Sequence, residues 1–201
     1  MLHADDRFHS AVESAVDRLE TATDAEIVVV AAPRSGSYRD VSYGIASIAA
    51  LVAFLIVLAV PVDFFPWVVP LELALVWAAT GWLVSGNRIL RWLVPASRKR
   101  AQVEEAAHAE FHRESVHATP HRTGVLIYVS AMEGQVEVVP DLGIEGRIPK
   151  VPWKEACEAF SHDDMEHFLA GLDALGALLA EHVPPLETDL VDLPNAPRIR
   201  S

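Results

Sequence analysis

The sequence predicts an α/β fold with a mixed sheet, interrupted by a two-helix transmembrane hairpin. Three observations carry that prediction. Ile27-Val28-Val29-Val30 is a short β-branched run with the composition of a strand buried on both faces, and Val125 to Val129 is a second short apolar run that reads as a strand. Apolar residues recur at helical spacing around them, as in Phe8, Val12, Ala15 and Leu19. Between the two runs, Val41 to Val62 contains no Asp, Glu, Lys or Arg.

The totals agree with a composite chain. The 201 residues suffice for one domain with a sizeable core. A hydrophobic fraction of 51% beside 22% charged residues points to two populations, charged globular parts and a very apolar insert. The formal net charge of −12 argues against nucleic acid as a partner, because phosphate contacts need clustered Lys and Arg. The single cysteine, Cys157, excludes an internal disulfide and reads as a small buried side chain on a helix.

The segment "MLHADDRFHSAVESAVDRLE" carries acids where a signal peptide would be basic, and it has no apolar stretch. It reads as an amphipathic helix starting in the cytoplasm. "TATDAEIVVVAA" supplies the first strand, and "PRSGSYRD" a loop; Arg34, Ser35 and Gly36 there could touch an anion, but a linker fits better. As a helix, Val41 to Val62 would be about 33 Å long, enough for a hydrocarbon core of about 30 Å. It has no polar stripe, unlike a surface helix of a globular protein. Pro61 and Pro66 break it, and Phe64, Phe65 and Trp67 suit a membrane interface. Val68 to Val84 forms the second apolar run, with Glu72 near its start and within reach of headgroups.

Arg34 and Arg39 flank the entry to the insert, and Arg88, Arg91, Arg98, Lys99 and Arg100 its exit. The connecting turn has Asp63 and no Lys or Arg. The positive-inside rule then places both flanks of the hairpin, and with them both termini, in the cytoplasm.

After the insert, residues 97–118 read as a helix with Val103, Ala107 and Phe111 inward. Two strands follow, Val125 to Val129 and Val136 to Val139, around a turn at Gly134. "DLGIEGRIP" reads as a loop, and Trp153 opens a short helix. Ser161 with Asp164 resembles a capping box for a helix carrying Phe168, Leu172, Leu175 and Leu179. From residue 184 the chain is proline-rich and aperiodic, a flexible tail. A helix joins the first strand to the second, so those two should be parallel; the second and third should be antiparallel. The predicted organisation is residues 1–40, first part of the α/β domain; 41–90, hairpin; 91–183, second part; and 184–201, tail.

"TDAEIVVVAA", "SYRDVSYGIA", "FHRESVHATPHRTGVLIYVSAMEGQVEVVPDLGI" and "VPW" resemble the TPM domain family, in particular its bacterial branch of small membrane proteins with an internal transmembrane pair. The resemblance spans Thr23 to Val183 and is most specific from Phe111 to Ile144, with Thr119, Arg122, Gly124 and Asp141 at the expected places. It implies an α/β/α sandwich with a twisted sheet between helices. Some members of the family are weak acid phosphatases, some bind calcium, and others assist assembly or repair of membrane complexes. Members with the internal pair are linked with a second TPM protein and with LemA-family membrane proteins, which the resemblance implies as partners besides the lipid bilayer.

Two functions follow as expectations. One is a cytoplasm-facing interaction or assembly module at the bacterial inner membrane, a multi-pass protein with both termini cytoplasmic. The other is a weak divalent-metal-assisted acid phosphatase, in which Asp141, an exposed carboxylate in a loop after a strand, coordinates Ca²⁺ or Mg²⁺ or acts as nucleophile. Glu26, at the start of the first strand, is its nearest candidate helper. The competing reading has Asp141 bonding its own backbone to end the strand. His108, His112, His117 and His121 are close in sequence, but "HAEFH" has its Glu misplaced for a zinc-protease helix. They read as exposed helical histidines.

Overall fold

The computed structural model describes residues 6–60, 65, 67–162, 164–185 and 197–199. The chain forms two compact units, residues 1–35 with 100–201, and residues 36–99. The inserted unit is therefore wider than the predicted 41–90, since it takes in the loop from Gly36 and the basic segment up to Lys99.

In the first unit, helix α1 (Asp6–Glu20) precedes strand β1 (Glu26–Ala32). Helix α5 (Ala96–Arg113) and a 3-10 turn at Val116–Ala118 lead to β2 (Gly124–Ser130) and β3 (Gln135–Pro140). β1 and β2 pair in parallel, Glu26 opposite Gly124 and Ala32 opposite Ser130, although the whole insert separates them in sequence. β2 and β3 are antiparallel, turning at Gly134, whose φ of 67° is the left-handed conformation that glycine adopts without a steric cost. The mixed α/β sheet expected from connectivity is therefore present.

Side chains alternate across this sheet. Ile27, Val29, Val125 and Ile127 face α1 and helix α8 (Met165–His182), packing with Phe8, Val12, Phe168, Leu172 and Leu175. Val28, Val30, Leu126 and Tyr128 face α5 and pack with Val103, Ala107 and Phe111. Covering both faces is what lets the strands be almost wholly apolar. Each large side chain so buried contributes about 1.5–3 kcal/mol of transfer free energy.

Four local expectations need correction. The predicted loop after β3 holds a short helix, α6 (Leu142–Glu145), because Asp141 caps it. Helix α7 (Lys150–Glu158) starts three residues before Trp153. The N-cap of α8 is Asp164 and not Ser161, and the Asp164 carboxylate lies 3.2 Å from His167 Nδ1. The tail is not structureless throughout. Arg198–Ile199 form β4, parallel to β1 with Arg198 opposite Val30, and the Arg198 guanidinium pairs with Glu114. The sheet order is β3-β2-β1-β4. Tail residues 186–196 lie outside the described residues.

In the second unit, α2 (Arg39–Ala59) and α3 (Val69–Val84) pack against each other. They run antiparallel: Trp77 Nε1 donates to Ser47 Oγ at 3.2 Å, the Trp77 ring stacks on Tyr43, and a Cβ on Gly81 would lie 3.7 Å from that of Ala46. Most of the turn between them, including Asp63, Phe64 and the two prolines, lies outside the described residues. α2 is long and apolar enough to cross a membrane. α3 has 16 residues; it passes the same length test only together with a helix that was not predicted, α4 (Asn87–Leu93), and the pair is bent by 87° at Ser85–Gly86. At the open end of the hairpin, Arg98 makes a two-pronged ion pair with Asp40 at 2.7 and 2.9 Å and lies over the Tyr38 ring.

Candidate functional site

The parallel strands have two chemically distinct ends, and the sequence-predicted residues fall at one of them. At the amino-terminal end, Asp141 N–H donates to Gly124 O while Gly124 stands opposite Glu26. Asp141 and Glu26 thus sit on the same edge of the sheet with β2 between them, roughly two strand spacings, about 9–10 Å, apart. They do not form a carboxylate pair.

Asp141 is not the exposed carboxylate expected from its loop position. It is 2% exposed. Oδ1 accepts from Arg122 Nη2 and from Leu142 N–H, both at 2.8 Å, and Oδ2 accepts from Arg122 Nε at 2.8 Å. The carboxylate beside Arg122 raises the guanidinium's pKa above its ordinary value. A side-on guanidinium fork and a helix-capping N–H take three of the carboxylate's roughly four lone-pair positions, and the fixed positive charge opposes a cation. The donor set around Asp141 therefore does not fit Ca²⁺ or Mg²⁺. The backbone-bonding role is present, and the ion pair adds to it.

The backbone is arranged to deliver this pair. Arg122 has a φ of 58°, unusual for a non-glycine residue. Gly143 N–H donates to Arg122 O at 2.8 Å, and a Cβ on Gly143 would lie 2.5 Å from both the His121 and the Arg122 carbonyl oxygens. Only glycine permits that approach. Thr119 Oγ1 accepts from Thr123 N–H at 3.0 Å and closes the same loop.

Beside it lies a pair that sequence reading missed. Asp24 Oδ2 is buried and makes no hydrogen bond; His121 Nδ1 is 3.3 Å away. The charged neighbour of His121 is thus Asp24. His112 and His117 remain neighbours, with ring centroids 5.2 Å apart, next to Phe111. Among the described residues no three His, Cys, Asp or Glu side chains converge on a point suited to a metal ion.

At the carboxyl-terminal end of the strands, where α/β sheets usually place ligands, a second polar cluster ties the loop after β1 to the β2–β3 turn. Ser130 Oγ donates to Glu133 Oε2 at 2.5 Å, Ser35 N–H donates to the same carboxylate at 3.1 and 3.2 Å, and Ser35 Oγ lies 2.7 Å from Ser130 Oγ and 3.2 Å from the Tyr128 hydroxyl. Ser130 and Glu133 are buried, and burial raises the Tyr128 pKa. Ser35, expected in a linker, instead clamps the two loops together. The one sequence signal was Ser130 ending an otherwise apolar strand.

A groove of about 490 Å³ runs along β3, between Gln135–Val138 and the Trp153, Cys157 and Phe160 side chains. Burial pushes the Cys157 thiol up to about 12 and also raises Glu137, with Glu104 adding to the latter. Both shifts favour the neutral forms, so Cys157 is an inert thiol, in line with its expected role.

Comparison with known proteins bears on the fold alone. No known family and no curated protein matches the chain. A solved structure similar to it is the NMR structure of BA42 protein from the psychrophilic bacteria Bizionia argentinensis, with a TM-score of 0.59 and 17% identity over 98% of this chain and 94% of that one. The chain thus shares an α/β fold with a bacterial protein at a level of identity that says nothing about chemistry.

Proposed function

We propose that the chain is a membrane-anchored interaction or assembly module. In this reading a TPM-like α/β/α sandwich is held at the bacterial inner membrane by the α2–α3 hairpin, with both termini cytoplasmic. The observation that carries it is the outside of α2. Ile48, Leu51, Val52, Phe54, Leu55, Ile56 and Leu58 are all exposed. At 3.6 residues per turn they cover more than half of the helix circumference. Water is a poor solvent for such a surface and lipid a good one.

Basic residues gather at one end of the hairpin, which by the positive-inside rule is cytoplasmic. The polar groups that the sequence singled out are engaged in holding loops together, which suits a rigid platform for partners. Those partners are membrane proteins, with a second TPM protein or a LemA-family protein as the first to test.

The topology is tested with reporters fused to the C-terminus and inserted at Asp63. A cytoplasmic C-terminus with a periplasmic Asp63 is expected, and a periplasmic C-terminus refutes the orientation. The role is tested by phosphate release from the purified protein with Ca²⁺ or Mg²⁺, alongside Asp141→Asn. No release is expected from either protein. Release that Asp141→Asn abolishes would replace the module reading with the phosphatase.

A further inference from the structure

The unpredicted helix α4 occupies a defined height on the hairpin. Gly81 is level with Ala46, and Trp77 with Tyr43 and Ser47. The antiparallel run therefore carries Val84, the end of α3, past Trp77 and Gly81 to the amino-terminal turns of α2. The chain then bends by 87° at Ser85–Gly86, and α4 packs back on α2. It leaves α3 at the level where the charges of α2 begin, at Arg39 and Asp40.

α4 is two-sided. Leu90 is buried on it, as is Val94 just after it, while Trp92 is 91% exposed and Leu93 and Arg88 are exposed as well. Trp82, in the last turn of α3, is 81% exposed. Two bare tryptophans, an exposed leucine and the Arg88 and Arg91 guanidiniums thus share one rim of the hairpin. Tryptophan concentrates at the headgroup level of bilayers, and arginine meets anionic phosphates there. The length of α3 gives the depth. Its 16 residues make about 24 Å of helix against a hydrocarbon core of about 30 Å, so a helix that starts at one face of the core brings the corner after it no further than the acyl–headgroup boundary of the other.

We propose that α4 lies flat in the headgroup layer of the cytoplasmic leaflet, with Trp92 and Leu93 inserted toward the acyl boundary and Arg88 and Arg91 against anionic phospholipid phosphates. This rests on the membrane-anchor reading and adds to it a lipid-binding surface outside the spanning helices. The helix sets how far the hairpin sinks and makes the anchor sensitive to anionic lipid.

The test uses the full chain with Cys157→Ser and one new cysteine, Leu51→Cys or Leu93→Cys, labelled with an environment-sensitive fluorophore. Each protein is reconstituted into phosphatidylcholine vesicles with or without phosphatidylglycerol. Spin labels are placed on the headgroup or deep in the acyl chain. At position 51 the deep label should quench more. At position 93 the headgroup label should quench more, and phosphatidylglycerol should increase that quenching unless Arg88→Gln and Arg91→Gln are both present.

Quenching at 51 with a water-like, unquenched signal at 93 overturns the proposal and leaves the anchor standing. Deep quenching at 93 also overturns it, since α4 would then continue a span. Headgroup quenching at 93 that ignores both phosphatidylglycerol and the arginine changes overturns the anionic contact. A water-like signal at both positions overturns the anchor as well.

Discussion

The two units treat the same side chains in opposite ways. Ile27 and Leu126, in the sheet, are 1% and 0% exposed, whereas Ile48 and Leu58, on α2, are 64% and 67% exposed. The first unit covers its strands on both faces with its own helices. The second leaves most of its apolar surface uncovered by the chain. Apolar composition therefore predicts that a residue avoids water, and only the neighbouring elements decide whether protein or lipid takes the water's place.

This comparison breaks most readily in paired truncations. Leu126→Ala should destabilise the sheet unit by about 2–5 kcal/mol, since it empties a closed core, whereas Leu58→Ala should change the stability of that unit by less than about 0.5 kcal/mol. Denaturant unfolding in detergent, followed by the near-ultraviolet signal, measures both. Equal losses would mean that α2 supports a protein core.

The converse change is a charge. Leu51→Arg should cost about 2.5–3.5 kcal/mol on insertion and move protein out of the membrane fraction. An unaltered distribution would argue that position 51 never meets lipid.

The next contrast is polar. Asp141→Asn should cost about 1–3 kcal/mol, because a buried acceptor of three hydrogen bonds loses its charge. Denaturant titration measures it, and a neutral outcome would reopen Asp141 as a free carboxylate.

The smallest effects concern the groove along β3. Burial raises the Glu137 pKa above that in the unfolded chain. Its contribution to stability is complete below the ordinary carboxylate pKa and is lost as pH rises through the raised one. Glu137→Gln should therefore stabilise slightly at neutral pH and not in acid. With its thiol up to about 12, Cys157 should react with iodoacetamide at mildly alkaline pH on the order of a thousandfold more slowly than a free cysteine.

Legibility in the sequence follows the same division. β1, β2 and the stripe of α8 could be read because a short apolar β-branched run and a helical period are local properties. The parallel pairing of β1 with β2 followed from connectivity. α4 was hidden because the apolar pattern runs on through it while the bend depends on Ser85–Gly86. β4 was hidden because two residues carry no pattern and gain their place from the edge of β1.

At the site, Asp141 was found, but its burial was not. Its partner Arg122 lies nineteen residues earlier in the sequence and reaches it through a left-handed backbone residue. Asp24 and Glu133 escaped the sequence reading, and Ser35 was visible only as a loop residue, for a related reason. Each is an ordinary polar residue in a loop, and only the packing of the loops brings it to His121 or Ser130.

The central claim, that the exposed surface of α2 is a lipid surface, is tested most directly by alkaline carbonate extraction of membranes from cells making the full chain. The account predicts that the protein stays in the washed membrane pellet and is released only by detergent. Recovery in the carbonate supernatant would contradict it.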